Sequence, residues 1–270
     1  MRERESGLET PGLPSAGQPA SALPSSASPS PVPLDAVEES PVWLELNGTP
    51  AVTWMCTPDA LDDLVVGWLF GEGYIESPRD IASMRPCTKE LGFWVEIDPA
   101  RVTRVDGMSR RRILASGCGS VTAFLGSLAD VPRRAVARPA VDTPRLRALF
   151  KELFALGERY KDTGGIHAAA LTDGATLFHH AEDIGRHNAV DKVFGAALQA
   201  GRSPADLLLL VTGRISGELA FKAARAGVAA VATPSVPSTI AVDIARAAGM
   251  FLIGRAVSGA PQVHDPRVAR

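Results

Sequence analysis

Ser116-Gly117-Cys118-Gly119-Ser120 sets one cysteine between two glycines. On one side lies the apolar run Arg111-Arg112-Ile113-Leu114-Ala115, and on the other Ser120-Val121-Thr122-Ala123-Phe124-Leu125-Gly126-Ser127-Leu128. Taken as a strand followed by a helix capped by Ser120, the pattern puts Cys118 in the turn at a helix N-terminus. Free backbone N–H groups and the positive end of the helix dipole favour a thiolate there, and the flanking glycines leave the sulfur approachable. The chemistry implied is that of a reactive thiol. A small buried residue beside a tight turn fits the pentapeptide equally well.

Other groups could bind or move charge. Thr163-Gly164-Gly165-Ile166-His167 places a turn directly before a strand, where His167 can carry a proton, orient an anion or serve as a satisfied structural side chain. In Glu182-Asp183-Ile184-Gly185-Arg186-His187-Asn188-Ala189-Val190-Asp191-Lys192, the residues Asp183, His187 and Asp191 recur every fourth position. A helix over them stacks all three on one face. A hydrogen-bonded face or a ligand contact is preferred there to a metal site, and no metal is expected. Thr212-Gly213-Arg214-Ile215-Ser216-Gly217-Glu218 falls between an apolar strand and a helix. Its Gly213, Arg214 and hydroxyls at a helix N-terminus make a candidate anion site, with a plain turn and a solvated arginine as the alternative. The spacing matches neither the Walker pattern nor the dinucleotide fingerprint. Thr233-Pro234-Ser235-Val236-Pro237-Ser238-Thr239 closes the next strand in the same way, so Ser235 should face the same sheet edge. Two polar turns on one edge suit a large anionic ligand. Zinc nucleobase deaminase chemistry is absent, because His167 is followed by two alanines and no Cys-x-x-Cys occurs.

The elements that must position these groups differ along the chain. Residues 6 to about 40 are rich in Pro, Ser, Ala and Gly, which predicts a disordered tail over 1–40. Two alternating runs around Asn47-Gly48 predict a hairpin, and Leu61–Phe70 a helix capped by Thr57 or Asp59 and closing near Gly71 to Gly73. With a strand at 92–97, residues 41–110 form a small α+β unit. From Asp206 onward apolar strands alternate with helices, the signature of an α/β layer with parallel strands and function in the turns at their C-terminal ends. His167–Thr172 and Thr176–His180 form a hairpin around Asp173-Gly174.

Composition limits the partners. The 270 residues are 46% hydrophobic with a net charge of −2, which brings no overall attraction to nucleic acid or acidic lipid. No apolar run reaches the ~20 residues of a bilayer span, and the charged first residues lead into no apolar signal core. Cys56, Cys87 and Cys118 show no disulfide framework, which points to a reducing cytoplasm.

Taken jointly and in order, Asn47-Gly48, Met55-Cys56-Thr57-Pro58 with Gly71-Glu72-Gly73, Thr163–Ala169, Glu182–Lys192 and Gly213-Arg214 carry a resemblance. The chain resembles the formate dehydrogenase accessory sulfurtransferases, the FdhD family, over essentially everything from residue 41. The resemblance implies a cytidine-deaminase-like α/β/α domain without zinc over 111–270, beside the small α+β unit, and a homodimer. It implies an enzyme that takes sulfur from a cysteine desulfurase as a persulfide on Cys118. The sulfur would pass to molybdenum bis(molybdopterin guanine dinucleotide), bound as substrate and destined for formate dehydrogenase. The expected cofactor-binding set is Gly213, Arg214, Ser235, His167 and His187, with Arg255, Ala256, Val257, Ser258, Gly259 and Ala260 in the place of the family's C-terminal binding segment. That last stretch is only weakly similar. Many family members carry Cys-x-x-Cys, whereas Gly119-Ser120-Val121 follows Cys118 here. Either Cys118 works alone, or the chain is a non-catalytic carrier or chaperone of the cofactor.

Overall fold

Asn47 and Gly48 both have positive φ, 48° and 75°. This is the type I′ geometry whose twist suits a two-residue hairpin. The turn joins β1 (Ser40–Leu46) to β2 (Thr49–Cys56), and the Asn47 amide pairs with both backbone groups of Ile97 at 2.9 and 3.0 Å. β1 also pairs in parallel with β4 (Gly92–Ile97), which pairs antiparallel with β3 (Ile81–Pro86), so the sheet order is β2-β1-β4-β3. The computed structural model describes residues 36–106, 111–114, 121–124, 128, 131–134 and 141–268. Of the tail expected over 1–40, residues 1–35 lie outside these.

Alternation along β1 and β4 turns Val42, Leu44, Leu46, Phe93, Val95 and Ile97 inward, onto Leu64, Val65 and Leu69 of α1 (Leu61–Glu72). Burying such side chains contributes roughly 1.5–3 kcal/mol each. The predicted cap is corrected: α1 starts from Ala60 in the left-handed region, without a side-chain cap, and ends at Gly73 with φ 88°. Thr57 and Asp59 are engaged elsewhere, as described below. α2 (Pro99–Asp106) follows β4.

The second sheet has the order β12-β11-β10-β9-β7-β8. Its strands are β7 (His167–Thr172), β8 (Leu177–Asp183), β9 (Leu208–Val211), β10 (Ala230–Ala232), β11 (Phe251–Gly254) and β12 (Gln262–His264). β9, β10 and β11 are parallel, while β7 runs antiparallel to both β8 and β9. Leu209 and Val211 of β9 face α5 (Arg186–Gln199), α6 (Gly217–Ala226) and α7 (Thr239–Ala248). Leu208 and Leu210 face α3 (Thr143–Leu156) on the other side. A strand buried on both faces has to read as the continuous apolar run Leu207–Val211. The result is a mixed α/β fold with helices on both faces of the larger sheet. α4 (Glu158–Thr163) leads from α3 toward β7. No helix among the described residues is long and apolar enough to cross a membrane.

α1 and α5 cross at two glycines. A Cβ on Gly67 would lie 1.8 Å from the Asp191 carbonyl oxygen, and one on Gly195 1.9 Å from the Asp63 carbonyl oxygen. The helices touch backbone to backbone.

The helix expected over 120–128 is also corrected. Val121–Phe124 is a strand, β6, paired antiparallel with β5 (Arg111–Leu114). β-branched Val121 and Thr122 and aromatic Phe124 favour the extended form, and Gly126 weakens a continuing helix. The helix N-terminus invoked for the thiolate is therefore not supplied by these residues. Cys118 lies outside the described residues.

Candidate functional site

The C-terminal ends of β9, β10 and β11 lie on one edge of the larger sheet. Because β7 runs against β9, its first residue, His167, lies at that edge as well, opposite Asp183 at the end of β8. The turns there are laced together. Thr212 Oγ1 accepts from Ala168 N at 2.9 Å, Thr233 Oγ1 donates to the Gly213 carbonyl at 2.7 Å, and the Arg255 and Ala256 amides donate to Ser235 and Thr233 at 2.7 and 2.9 Å. Ser216 and Ser238 cap α6 and α7 by accepting from Leu219 N and Ala241 N. α5 starts from Gly185 with no side-chain cap. Three helix N-termini thus gather on the edge where positive potential favours an anion.

The edge brings Gly213, Ser235, His167 and His187 into one region, flanked by Arg214. A Cβ on Gly213 would lie 3.1 Å from His167 Cε1 and 3.2 Å from Arg186 Cδ, so glycine leaves room for those two side chains. His187 is 3% exposed, with Nε2 at 3.2 Å from Ser216 Oγ and 3.6 Å from Glu218 Oε2, and with Nδ1 unpartnered. Burial, then Lys222, Arg186 and His167, push its pKa down to about 3, so the ring is neutral and the Glu218 contact is no ion pair at neutral pH. His167 is shifted down too, first by burial and then by Arg186. Arg214 is exposed. In the segment after β11, Ala256 is fully buried in the core beneath α3, Ser258 is half-buried, and Arg255, Val257, Gly259 and Ala260 are exposed.

The predicted face of Asp183, His187 and Asp191 does not form. Asp183 ends β8, before α5 begins, and each of the three takes its own partner. Asp183 Oδ2 meets Lys192 Nζ at 2.8 Å, and Asp191 meets Lys222 Nζ at 2.6 Å. Burial raises the Asp191 pKa to about 6 against the pull of Lys222. Lys192 also reaches Asp59 at 2.6 Å and the Thr57 carbonyl at 2.8 Å, while Thr57 Oγ1 accepts from Ile184 N, which accounts for the uncapped start of α1. Among the described residues no group of three or more His, Cys, Asp and Glu side chains is placed to hold a metal.

Arg186 was not among the expected binding residues. A signal was present: it opens a helix directly after a strand, where a cation opposes the helix dipole.

Residues 37–267 match the FdhD/NarQ family model. The chain belongs to that family. Sulfur carrier protein FdhD of Anaeromyxobacter sp. (strain K) is 40% identical over 243 residues, covering 81% of this chain and 82% of that protein. Sulfur carrier protein FdhD of Bacillus subtilis (strain 168) is 34% identical over 230 residues, covering 84% and 87%. In fold, the chain is similar to a crystal structure from Desulfotalea psychrophila, provisionally described as a formate dehydrogenase accessory protein. The TM-score is 0.67 at 22% identity, over 84% of this chain and 87% of that one.

Within this FdhD/NarQ chain the described cysteines differ in chemistry. Cys56 is fully buried, and burial followed by the nearby Asp183 charge pushes its pKa to about 12, so it stays a thiol at neutral pH. Cys87, after β3, is half-buried.

Proposed function

We propose that the chain is a sulfur carrier in formate dehydrogenase maturation. Cys118 would receive sulfur from a cysteine desulfurase and deliver it to molybdenum bis(molybdopterin guanine dinucleotide) bound on the edge of the larger sheet. The observation that carries this is the match to the FdhD/NarQ family over residues 37–267, whose quoted relatives bear the name sulfur carrier protein. In the first step the Cys118 thiolate attacks the outer sulfur of the desulfurase persulfide. That S–S bond breaks, the desulfurase cysteine leaves as a thiolate, and the new S–S bond is on Cys118. In the second step the cofactor, as the acceptor substrate, would supply the electron pair that bonds the outer sulfur; the S–S bond on Cys118 would break and Cys118 would leave as a thiolate. Cys56 is unfit for the task, since a thiol held to about pKa 12 is not a nucleophile at neutral pH.

The cofactor is an anion of several phosphates, and the edge with three helix N-termini supports its placement there. The larger sheet is read as a cytidine-deaminase-like domain whose sequence lacks the zinc ligands, and the protein as a cytoplasmic homodimer. Cys118 without the second cysteine of a Cys-x-x-Cys favours a second reading, a carrier that holds the cofactor without transferring sulfur.

Incubation with a cysteine desulfurase and cysteine, followed by mass spectrometry of intact protein and peptides, separates the two. The expected result is one added sulfur atom on the peptide that contains Cys118, retained in Cys87→Ala and lost in Cys118→Ala. Sulfur on another cysteine overturns the assignment, and an unloaded protein that still binds GDP favours the carrier without transfer.

A further inference from the structure

Arg186 is 7% exposed, yet its Nε has no partner, and no hydrogen bond or ion pair to it is formed among the described residues. Its Nε is buried without an acceptor or a counter-charge, which is costly, and its place in the first turn of α5 sets it against the helix dipole. Of the neighbouring acids, Asp183 is held by Lys192, the Gly185 amide and Asn188, while Glu218 Oε2 lies 3.6 Å from the neutral His187 ring, buried without a hydrogen-bond partner, and forms no pair with Arg186. Two further features stand beside Arg186: the unpartnered Nδ1 of His187, 3% exposed, and the uncapped start of α5. Gly213 packs against both Arg186 and His167, and even a methyl group there would crowd them. Such an arrangement stays unsatisfied until a multivalent acceptor brings negative charge to it.

We propose that Arg186, the first-turn amides of α5 and the His167 ring form an oxyanion site for a tetrahedral, phosphate-class anion. The guanidinium supplies the charge and the planar donors, and the amides supply the remaining hydrogen bonds. The site does not depend on Cys118. That the anion is a phosphate of a guanine nucleotide rests on the sulfur-carrier reading above.

Calorimetric titration of the full chain with inorganic phosphate, and separately with GDP, tests the site in wild type, Arg186→Gln and Arg214→Ala. Arg186→Gln should weaken phosphate binding by roughly ten- to a hundredfold, the loss of one charge-assisted contact. Arg214→Ala, on an exposed side chain, should change it far less. GDP binding tighter than phosphate, with the same dependence on Arg186, supports the site and identifies a nucleotide phosphate. Phosphate binding without any gain from GDP supports the site and removes the nucleotide from it. Equal phosphate binding by Arg186→Gln and wild type overturns the proposal, as does a wild type that binds neither ligand. Without added anion, Arg186→Gln should melt at or above the wild-type temperature, since an unpaired buried charge has been removed. A clear fall in melting temperature would make Arg186 a structural residue and overturn the proposal by a second route.

Discussion

Lys192 Nζ lies 2.8 Å from Asp183 Oδ2, with the two side chains 1% and 0% exposed. The pair ties the corner between β2 and α1 to the corner between β8 and α5. Lys192 donates to the Thr57 carbonyl, while Asp183 accepts from the amides of Thr57 and Gly185 and from Asn188. The fixed start of α5, and so the position of Arg186, depends on it.

Lys192→Met should cost about 3–5 kcal/mol of folding free energy, because it leaves the Asp183 carboxylate buried without its cation. Urea unfolding measures this. Adding Asp183→Asn should recover part of the loss, since the charge goes and bonds to Gly185 and Thr57 can remain. An unchanged unfolding free energy in Lys192→Met would show that the pair does not join the two corners.

His187 makes stability depend on pH. The unfolded chain takes a proton at this histidine near pH 6.5 and the folded chain only near pH 3, so between those values the unfolded state holds more protons. The contribution is complete above pH 6.5 and is lost as the pH falls, by up to about 1.4 kcal/mol per pH unit. The downward shift of His167 acts in the same sense. Asp191, raised to about 6, acts in the opposite one, because its folded form gains the proton first. Comparison with His187→Gln isolates the term: the variant should lose less stability between pH 6.5 and 5 than wild type. Parallel pH curves for the two proteins would contradict a neutral His187.

Gly67→Ala should destabilise the protein by about 3 kcal/mol or more, at or beyond the usual range for overpacking, because the new methyl group meets backbone rather than a yielding side chain. The gain in helix propensity, about 1 kcal/mol, does not offset that. Gly71→Ala is the control. Its Cβ would lie 3.1 Å from the Lys222 stem, a side chain rather than backbone, and its loss in chemical denaturation should be smaller. Equal effects would mean that the α1–α5 crossing can spread at little cost.

Much of the fold is legible in the chain. Asn47-Gly48 fixes a hairpin through two positive φ values, and the stretch from Leu207 to Gly254 alternates apolar strands with helices whose Ser216 and Ser238 caps stand in plain view. The failures are local. Val121–Phe124 is too short for its period to separate strand from helix, and the residue types, not the spacing, decide it. The fourfold spacing from Asp183 to Asp191 looks helical until a strand is found to end on Asp183. Gly213, Ser235, His167 and His187 meet on one edge because β7 runs against β9, and strand direction is a tertiary property. The place of Arg186 at a helix start is legible, but the burial of its Nε without a partner is a tertiary property.

The reciprocal glycines at 67 and 195 also bear on how this architecture can be recombined. Each helix has its narrowest point where the other presents a carbonyl, so neither can be replaced without matching the other. A chimaera that borrowed the first sheet and α1 from a relative would need α5 from the same source, and with α5 comes the turn that bears Arg186. Among the described residues the four-stranded and six-stranded sheets share no strand pairing, but as units of inheritance they are coupled through a pair of missing methyl groups.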